Sequence, residues 1–298
     1  MGRPYAKELE ALRETYSWAL TTPIEPAING ISASANFPMV AVGSGGSFTA
    51  AHLACSLHQH YTGMVSRPVT PLELISSPFH LRSVAAMILS AGGSNSDIIS
   101  AFENTVAREP RRYTVFCLRQ NSKLARLARS HPFIDLVDLN PPFLKDGFLA
   151  TNSLLAFAVL LVRAYDRVFS LRNSLPSEFE TLLSFNAHSL KKSVAPLWER
   201  DTLIVLYGSS VASAAFDLES KFSEAALGNT QLADFRNFAH GRHHWLAKQG
   251  SKSGVIAIFA KNEQALAERT LRLIPSAIPI GRICVPSVGP AASIEALV

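Results

Sequence analysis

Pro38-Met39-Val40-Ala41-Val42-Gly43-Ser44-Gly45-Gly46-Ser47 decides the fold. A short apolar run ends at a glycine, a turn of serine and glycine follows, and residues 49–61 take up helical periodicity. That is strand, turn, helix. Outward from it the pattern repeats. Residues 84–89 are a second apolar run, closed by Ser90-Ala91-Gly92-Gly93-Ser94-Asn95, and residues 97–108 read as a helix. Residues 113–118 predict a third strand, 122–130 a helix and 134–139 a fourth strand. Strands alternating with helices predict an α/β fold, a parallel sheet with helices on both faces. The apolar stretch 147–162 is too short to span a bilayer and carries Thr151, Asn152 and Ser153, so it predicts a buried helix. A further helix is expected over 177–198.

The pattern then restarts. Residues 202–207 predict a strand, Gly208-Ser209-Ser210 a turn and 211–226 a helix. Residues 255–259, 262–273 and 283–286 predict strand, helix and strand. The architecture is duplicated with only faint similarity of sequence. The expected domains are 1–198, an N-terminal helix plus a longer unit, and 199–298, a shorter one.

Composition limits the function. The chain has 298 residues, 48% hydrophobic and 17% charged, which suits buried cores and excludes a disordered chain. The net charge of +5 suits anionic ligands. The basic groups Arg108, Arg111 and Arg112, then Lys123, Arg126 and Arg129, have no interleaved aromatics, and the second group has the spacing of a solvated helix face. Nucleic acid is therefore not an expected partner. Cys55, Cys117 and Cys284 are odd in number and far apart, which points to reduced thiols in the cytoplasm. Residues 1–20 carry Lys7, Glu8, Glu10, Arg13 and Glu14 and read as an amphipathic helix, not a signal peptide. No membrane association is expected.

Both serine- and glycine-rich loops sit beyond the carboxyl ends of strands, where α/β sheets bind ligands. Each opens a helix, whose free N–H groups and dipole favour an anion. Glycines let the backbone approach, and serine hydroxyls donate further. A dinucleotide fingerprint is excluded because Phe48 follows Ser47, leaving the third glycine missing; a P-loop lacks its lysine, and a nucleophile elbow does not fit. One such loop alone reads as a tight turn. Two in succession favour a ligand.

With these residues the chain resembles the tandem SIS (sugar isomerase) family, of which the isomerase half of glucosamine-6-phosphate synthase and sugar-phosphate deglycases are examples. Gly45-Gly46-Ser47 stands where the family has its phosphate-binding Gly-Thr-Ser, and Ser90-Ala91-Gly92-Gly93-Ser94-Asn95 where it has Ser-x-Ser-Gly-Glu-Thr. Leu72-Glu73-Leu74 is similar to a Ser-Glu-Phe segment, and residues 151–157 to a helix start after the fourth strand. In the second unit Lys221-Phe222-Ser223-Glu224 and His240-Gly241 match the family's Lys-x-x-Glu and its later histidine. The spacing puts Lys221 and Glu224 on one helical face.

The resemblance implies two SIS units, each a three-layer, flavodoxin-like sandwich. It implies a sugar phosphate or amino-sugar phosphate as ligand, and aldose–ketose isomerisation or deglycation as chemistry. Ser47, Ser90, Ser94 and Asn95, with Gly45, Gly46 and Gly93, would hold the anionic end. Glu224 would move the proton, Lys221 support it and His240 assist ring opening. It further implies a homodimer with sites at the subunit interface. The alternative is a non-catalytic sensor that binds a phosphosugar or nucleotide-like ligand and regulates a partner.

Departures bear on this. Gly46 replaces a threonine, Gly92 a serine, Ser94 a glutamate and Asn95 a threonine, so hydroxyl donors are fewer. The residues before His240 lack the family's glutamate and lysine, and Arg242 could supply the charge. His240, His243 and His244 do not form a ligand pattern, so neither a metal nor another cofactor is expected. Trp245 reads as a core residue. The sequence stops at Val298 soon after its last strand candidate, where the synthase group continues through a helix and a closing tail. Either that lid is absent or the chain belongs to a longer protein.

Overall fold

A computed structural model describes residues 4–77, 80–143, 145–170, 174–183 and 187–298. The chain divides into two compact units, Met1–Phe179 and Glu180–Val298.

The first unit is a parallel sheet of β1 (Met39–Val42), β2 (Ser66–Val69), β3 (Ala85–Ser90), β4 (Arg112–Cys117) and β5 (Ile134–Asp138), in the order β2-β1-β3-β4-β5. Its register aligns Val42 with both Val69 and Ile88. Helices α1 (Tyr5–Glu10), α2 (Leu12–Thr21), α3 (Glu25–Ser34), α4 (Gly46–Thr62), α5 (Pro71–Ser76), α6 (Ser96–Ala107), α7 (Lys123–Arg129) and α8 (Asn152–Val168) surround it. The helix expected over 1–20 is two helices, with its first three residues outside the described ones.

Local chemistry sets the boundaries. Thr70 and Glu73 form a reciprocal capping box around α5, with Pro71 at its first position. Asn95 and Ser122 cap α6 and α7 through their side chains. Gly63, at φ +72, ends α4 in the left-handed conformation. On one sheet face Ile98, Phe102 and Leu124 pack against Val40, Ile88 and Val115. The predicted buried helix is α8: residues 152–162 are all buried, and it packs against α2, α3 and α4. No helix of the described residues is long and apolar enough to cross a membrane.

The second unit repeats the arrangement. Its sheet holds β6 (Thr202–Tyr207), β7 (Asn229–Asp234), β8 (Ser253–Ala260) and β9 (Ile280–Val285), all parallel, in the order β7-β6-β8-β9. That matches the order of the first four strands of unit one. In place of the helix expected over 177–198 there are α9 (Phe179–Leu182), α10 (Ala187–Val194) and a turn of 3-10 helix at Ala195–Leu197, with 184–186 outside the described residues. Val194 and Leu197 pack into the second core, with Leu203, Ile256 and Val285, so this stretch belongs to the second unit. The division therefore falls at 179/180 and not at 198/199.

Beyond α10 come α11 (Ala212–Glu224), α12 (Phe235–Asn237), α13 (His244–Gln249), α14 (Gln264–Leu271) and α15 (Pro290–Leu297). The last strand is thus followed by a helix that no pattern in the sequence marks; its Ala292 joins the core beneath α11.

Candidate functional site

In unit one the chain crosses from β1 to β2 on one side and returns to β3 on the other. Such a reversal opens a crevice beyond the carboxyl ends of the two central strands. Loops 43–47 and 90–95 flank it. Gly45, at φ +54, turns the chain into α4, and nothing lies within 4 Å of where its Cβ would stand. The N–H groups of Ser47 and Phe48 donate to the carbonyls of Ser44 and Gly45 at 3.2 and 2.8 Å. Among the described residues, the N–H groups of Gly45 and Gly46 and the Ser47 hydroxyl have no protein partner. A helix of 17 residues therefore presents free donors and the positive end of its dipole to the crevice.

Gly46 is fixed from behind. A Cβ on it would meet the Cβ of Ala150 at 2.1 Å. The family's threonine cannot stand here without displacing the segment before α8. That segment is itself anchored. Asp146 accepts from the N–H groups of Thr151, Asn152 and Ser153 at 3.2, 3.1 and 3.0 Å. Glu8 of α1, buried at 2% exposure, accepts from the Gly147 N–H and from the Thr151 hydroxyl at 2.8 Å. The Asn152 amide donates to the Glu8 carbonyl at 3.0 Å. Carboxylates of the chain thus fill the α8 N-terminus and leave the α4 N-terminus open.

The second wall is more self-contained. Ser90 is buried, and its hydroxyl oxygen accepts the Gly93 N–H at 3.0 Å. Gly93, at φ +60, accepts the Leu124 N–H at 2.8 Å. Ser94 and Asn95 are exposed, and the Asn95 oxygen accepts the Asp97 N–H at 2.8 Å. Asp97 already places a carboxylate in the first turn of α6.

Beside the crevice, Glu73 accepts from the Thr70 N–H at 2.9 Å and from Arg67 at 3.3 Å. The Thr70 N–H and the Arg67 charge hold its carboxyl below the usual carboxylate range. Burial pulls His52 of α4 down to about 4, against the field of Glu73.

In unit two the corresponding crevice, between the ends of β6 and β8, is filled. Glu263 accepts from the Ser210 N–H at 3.1 Å, the Ser209 hydroxyl at 3.1 Å and the Ala260 N–H at 3.0 Å. A Cβ on Gly208 would stand 1.9 Å from its carboxylate, so this glycine makes room for an internal anion.

Lys221 and Glu224 lie on α11, but each has another partner. The Lys221 ammonium donates to Asp217, and the exposed Glu224 accepts from the Ser220 hydroxyl at 2.9 Å. His240 is exposed in a π-helical turn whose Gly241 has φ +105. Among the described residues no hydrogen bond joins it to Lys221 or Glu224. The His243 and His244 rings lie 4.3 Å apart, and among the described residues no group of three or more His, Cys, Asp or Glu is placed to hold a metal ion. Trp245 is no core residue: it is 38% exposed, and its N–H donates to Ser253 at 3.0 Å.

No protein-family model matches the chain, and no curated protein matches it. Solved structures do. The C-terminal domain of glucosamine-fructose-6-phosphate aminotransferase from Francisella tularensis aligns with TM-score 0.71 at 13% identity, over 98% of this chain and 92% of that one. Glucosamine-6-phosphate deaminase from Thermotoga maritima gives 0.71 at 15%, over 98% and 91%. Tagatose-6-phosphate ketose/aldose isomerase from Escherichia coli gives 0.70 at 15%, over 100% and 94%. The chain has the SIS fold.

At these identities the likeness carries the fold alone. What marks this chain within the fold is the inequality of its two crevices. The residues that create it, Glu8, Asp146, Ala150 and Glu263, carry no motif. The three carboxylates among them stand in a loop or a first helical turn, where acidic residues are favoured on any helix.

Proposed function

We propose that the chain binds a sugar phosphate through the Gly45-Gly46-Ser47 loop and acts on it as an isomerase or deglycase. One observation carries the reading: the crevice of unit one presents unpartnered donors, while that of unit two is filled by Glu263. The phosphate accepts from the Gly45 and Gly46 N–H groups and from the Ser47 hydroxyl. Charge-assisted bonds of this kind contribute about 1.5–3 kcal/mol each. The second wall has fewer free donors and carries Asp97, so Ser94 and Asn95 suit sugar hydroxyls or the outer phosphate oxygens. Ser90 and Gly93 shape that loop.

Glu224 is the proposed acid/base. As a carboxylate it takes the proton from the carbon next to the carbonyl and returns it to the old carbonyl carbon, while the neighbouring hydroxyl gives its proton to the old carbonyl oxygen, so atoms and charge balance through an enediol. Lys221 supports the helix end through Asp217, and His240 protonates the ring oxygen during opening. Glu224 and His240 are both exposed on the single chain, which suits completion of the site in a homodimer. Three free thiols suit the cytoplasm. The solved structures named above include a ketose/aldose isomerase and a deaminase, in keeping with this chemistry.

The sensor reading rests on a different observation: Lys221 is engaged by Asp217, and Glu224 lies open to solvent. A panel of hexose and hexosamine 6-phosphates, scored by thermal shift and then by deuterium exchange at C2, separates the two. Exchange that is lost in Glu224→Gln, with binding kept, is the isomerase result. Binding without exchange leaves the sensor. No binding of any phosphosugar sinks both.

A further inference from the structure

From the geometry of unit two we propose a second ligand site, for a nucleoside monophosphate or a compound of the same chemistry, in the groove between β7 and α13. The groove has a volume of about 400 Å³. Arg242, His244, Trp245 and Lys248 line it, with the amides of Gln231 and Gln249.

The charges carry the argument. Arg242 and Lys248 face one groove, and among the described residues no carboxylate lines it and neither cation has an ion-pair partner. Two cations held near each other without a counter-ion repel, and an anion between them relieves the repulsion. Arg242 is not a loose side chain. Its guanidinium donates to the Leu232 carbonyl of the edge strand at 3.2 Å, which leaves its other N–H groups for a ligand. The imidazole of His244 lies 4.3 Å from that of His243, tilted by 32°, and adds a donor.

The ring of the ligand follows from Trp245. Its indole is pinned by the bond to Ser253, whose hydroxyl in turn donates to the Gln249 carbonyl at 2.9 Å. Ser253 is fully buried, so the anchor is rigid. A fixed, half-exposed indole is a stacking surface for a flat ring. Gln231 and Gln249 offer both donors and acceptors, which matches the edge of a nucleobase better than that of a hydrocarbon. Phosphate at Arg242 and Lys248, and base on Trp245, account for the polar lining together.

The test uses the full chain and AMP as probe, with inorganic phosphate as the control. The three tryptophans give three indole N–H signals, and Trp245→Phe identifies one of them. AMP is expected to shift that signal, and to do so at lower concentration than phosphate. Arg242→Gln and Lys248→Gln, both surface changes, are each expected to weaken AMP by about tenfold, as loss of a charge-assisted hydrogen bond does. Ser47→Ala is expected to leave the AMP shift of that signal unchanged, which separates this site from the phosphosugar loop. The inference is overturned if AMP leaves the Trp245 signal in place. It is equally overturned if phosphate shifts that signal at as low a concentration as AMP, if both glutamine variants respond normally, or if the AMP shift of that signal disappears in Ser47→Ala.

Discussion

A methyl group on Gly46 would stand 2.1 Å from the Cβ of Ala150, far inside contact distance. Gly46→Ala should therefore push the turn away from the segment before α8. Overpacking of this kind costs about 1–3 kcal/mol, and the donors of the loop move with it. The expected outcome is a lower melting temperature and a smaller thermal shift with inorganic phosphate. Ala150→Gly removes the obstructing methyl and leaves only Cα, 3.6 Å away. The double variant should recover both quantities, and a cycle with no coupling would dismiss the contact. Glu263 allows the converse experiment. Glu263→Ala strips three hydrogen bonds from the second crevice and should cost about 1–3 kcal/mol. It also leaves a glycine turn with unpaired donors, so inorganic phosphate should stabilise this variant more than the unaltered protein. An equal phosphate effect in both would remove the view that Glu263 stands in for an anion. In the sequence Gly46 registers only as a hydroxyl lost. Its partner is remote in the chain, and no local pattern marks a residue whose importance is that it is small.

Among elements, α1 has a role out of proportion to its length. Glu8 reaches from it to Gly147 and Thr151, and Ala150 between them backs Gly46. Glu8→Gln keeps the shape but turns one acceptor into a donor, leaving one of these two donors unpaired. The expected result is faster hydrogen exchange over residues 5–10 and 147–152, together with weaker phosphate binding. Faster exchange with phosphate affinity unaltered would confine Glu8 to a structural role. The strands show what was legible. Those buried on both faces, such as Met39–Val42 and Thr202–Tyr207, read directly as apolar runs. The two that were not foreseen, Ser66–Val69 and Asn229–Asp234, are both edge strands lying beside the first strand of their unit. An edge strand is half exposed and free to be polar, as Ser-Arg-Pro-Val and Asn-Thr-Gln-Leu-Ala-Asp are. The 177–198 stretch misled for a related reason: helical periodicity does not reveal where a helix breaks, or which core takes its apolar side.

At the scale of the molecule the duplicated topology hides two units of different character, and acid should tell them apart. Unit one buries one histidine of α4, His58, and half-buries another, His52. His58 is fully buried between the Tyr165 hydroxyl and the Phe37 carbonyl, each at 2.9 Å, and burial lowers its pKa despite the carbonyl. His52 is lowered to about 4. In unit two His240, His243 and His244 are exposed. A histidine held below its ordinary value of 6.5 takes up its proton more readily in the unfolded chain. Its contribution is whole above pH 6.5 and is lost as the pH falls toward about 4. Two half-buried carboxylates of β5, Asp135 and Asp138, are raised by burial and act in the opposite sense, so the histidines must be read through variants. Hydrogen exchange followed from pH 7 to pH 4.5, corrected for the intrinsic rate, should show unit one loosening first, beginning in α4. His52→Gln should flatten that dependence in unit one and leave unit two unaffected. Because α4 supplies the donors of the anion loop, the same acidification should weaken phosphate binding before the second sheet is disturbed. If unit two loosens first, or if His52→Gln leaves the pH dependence of unit one unaltered, the buried histidines are not what limits the first unit in acid.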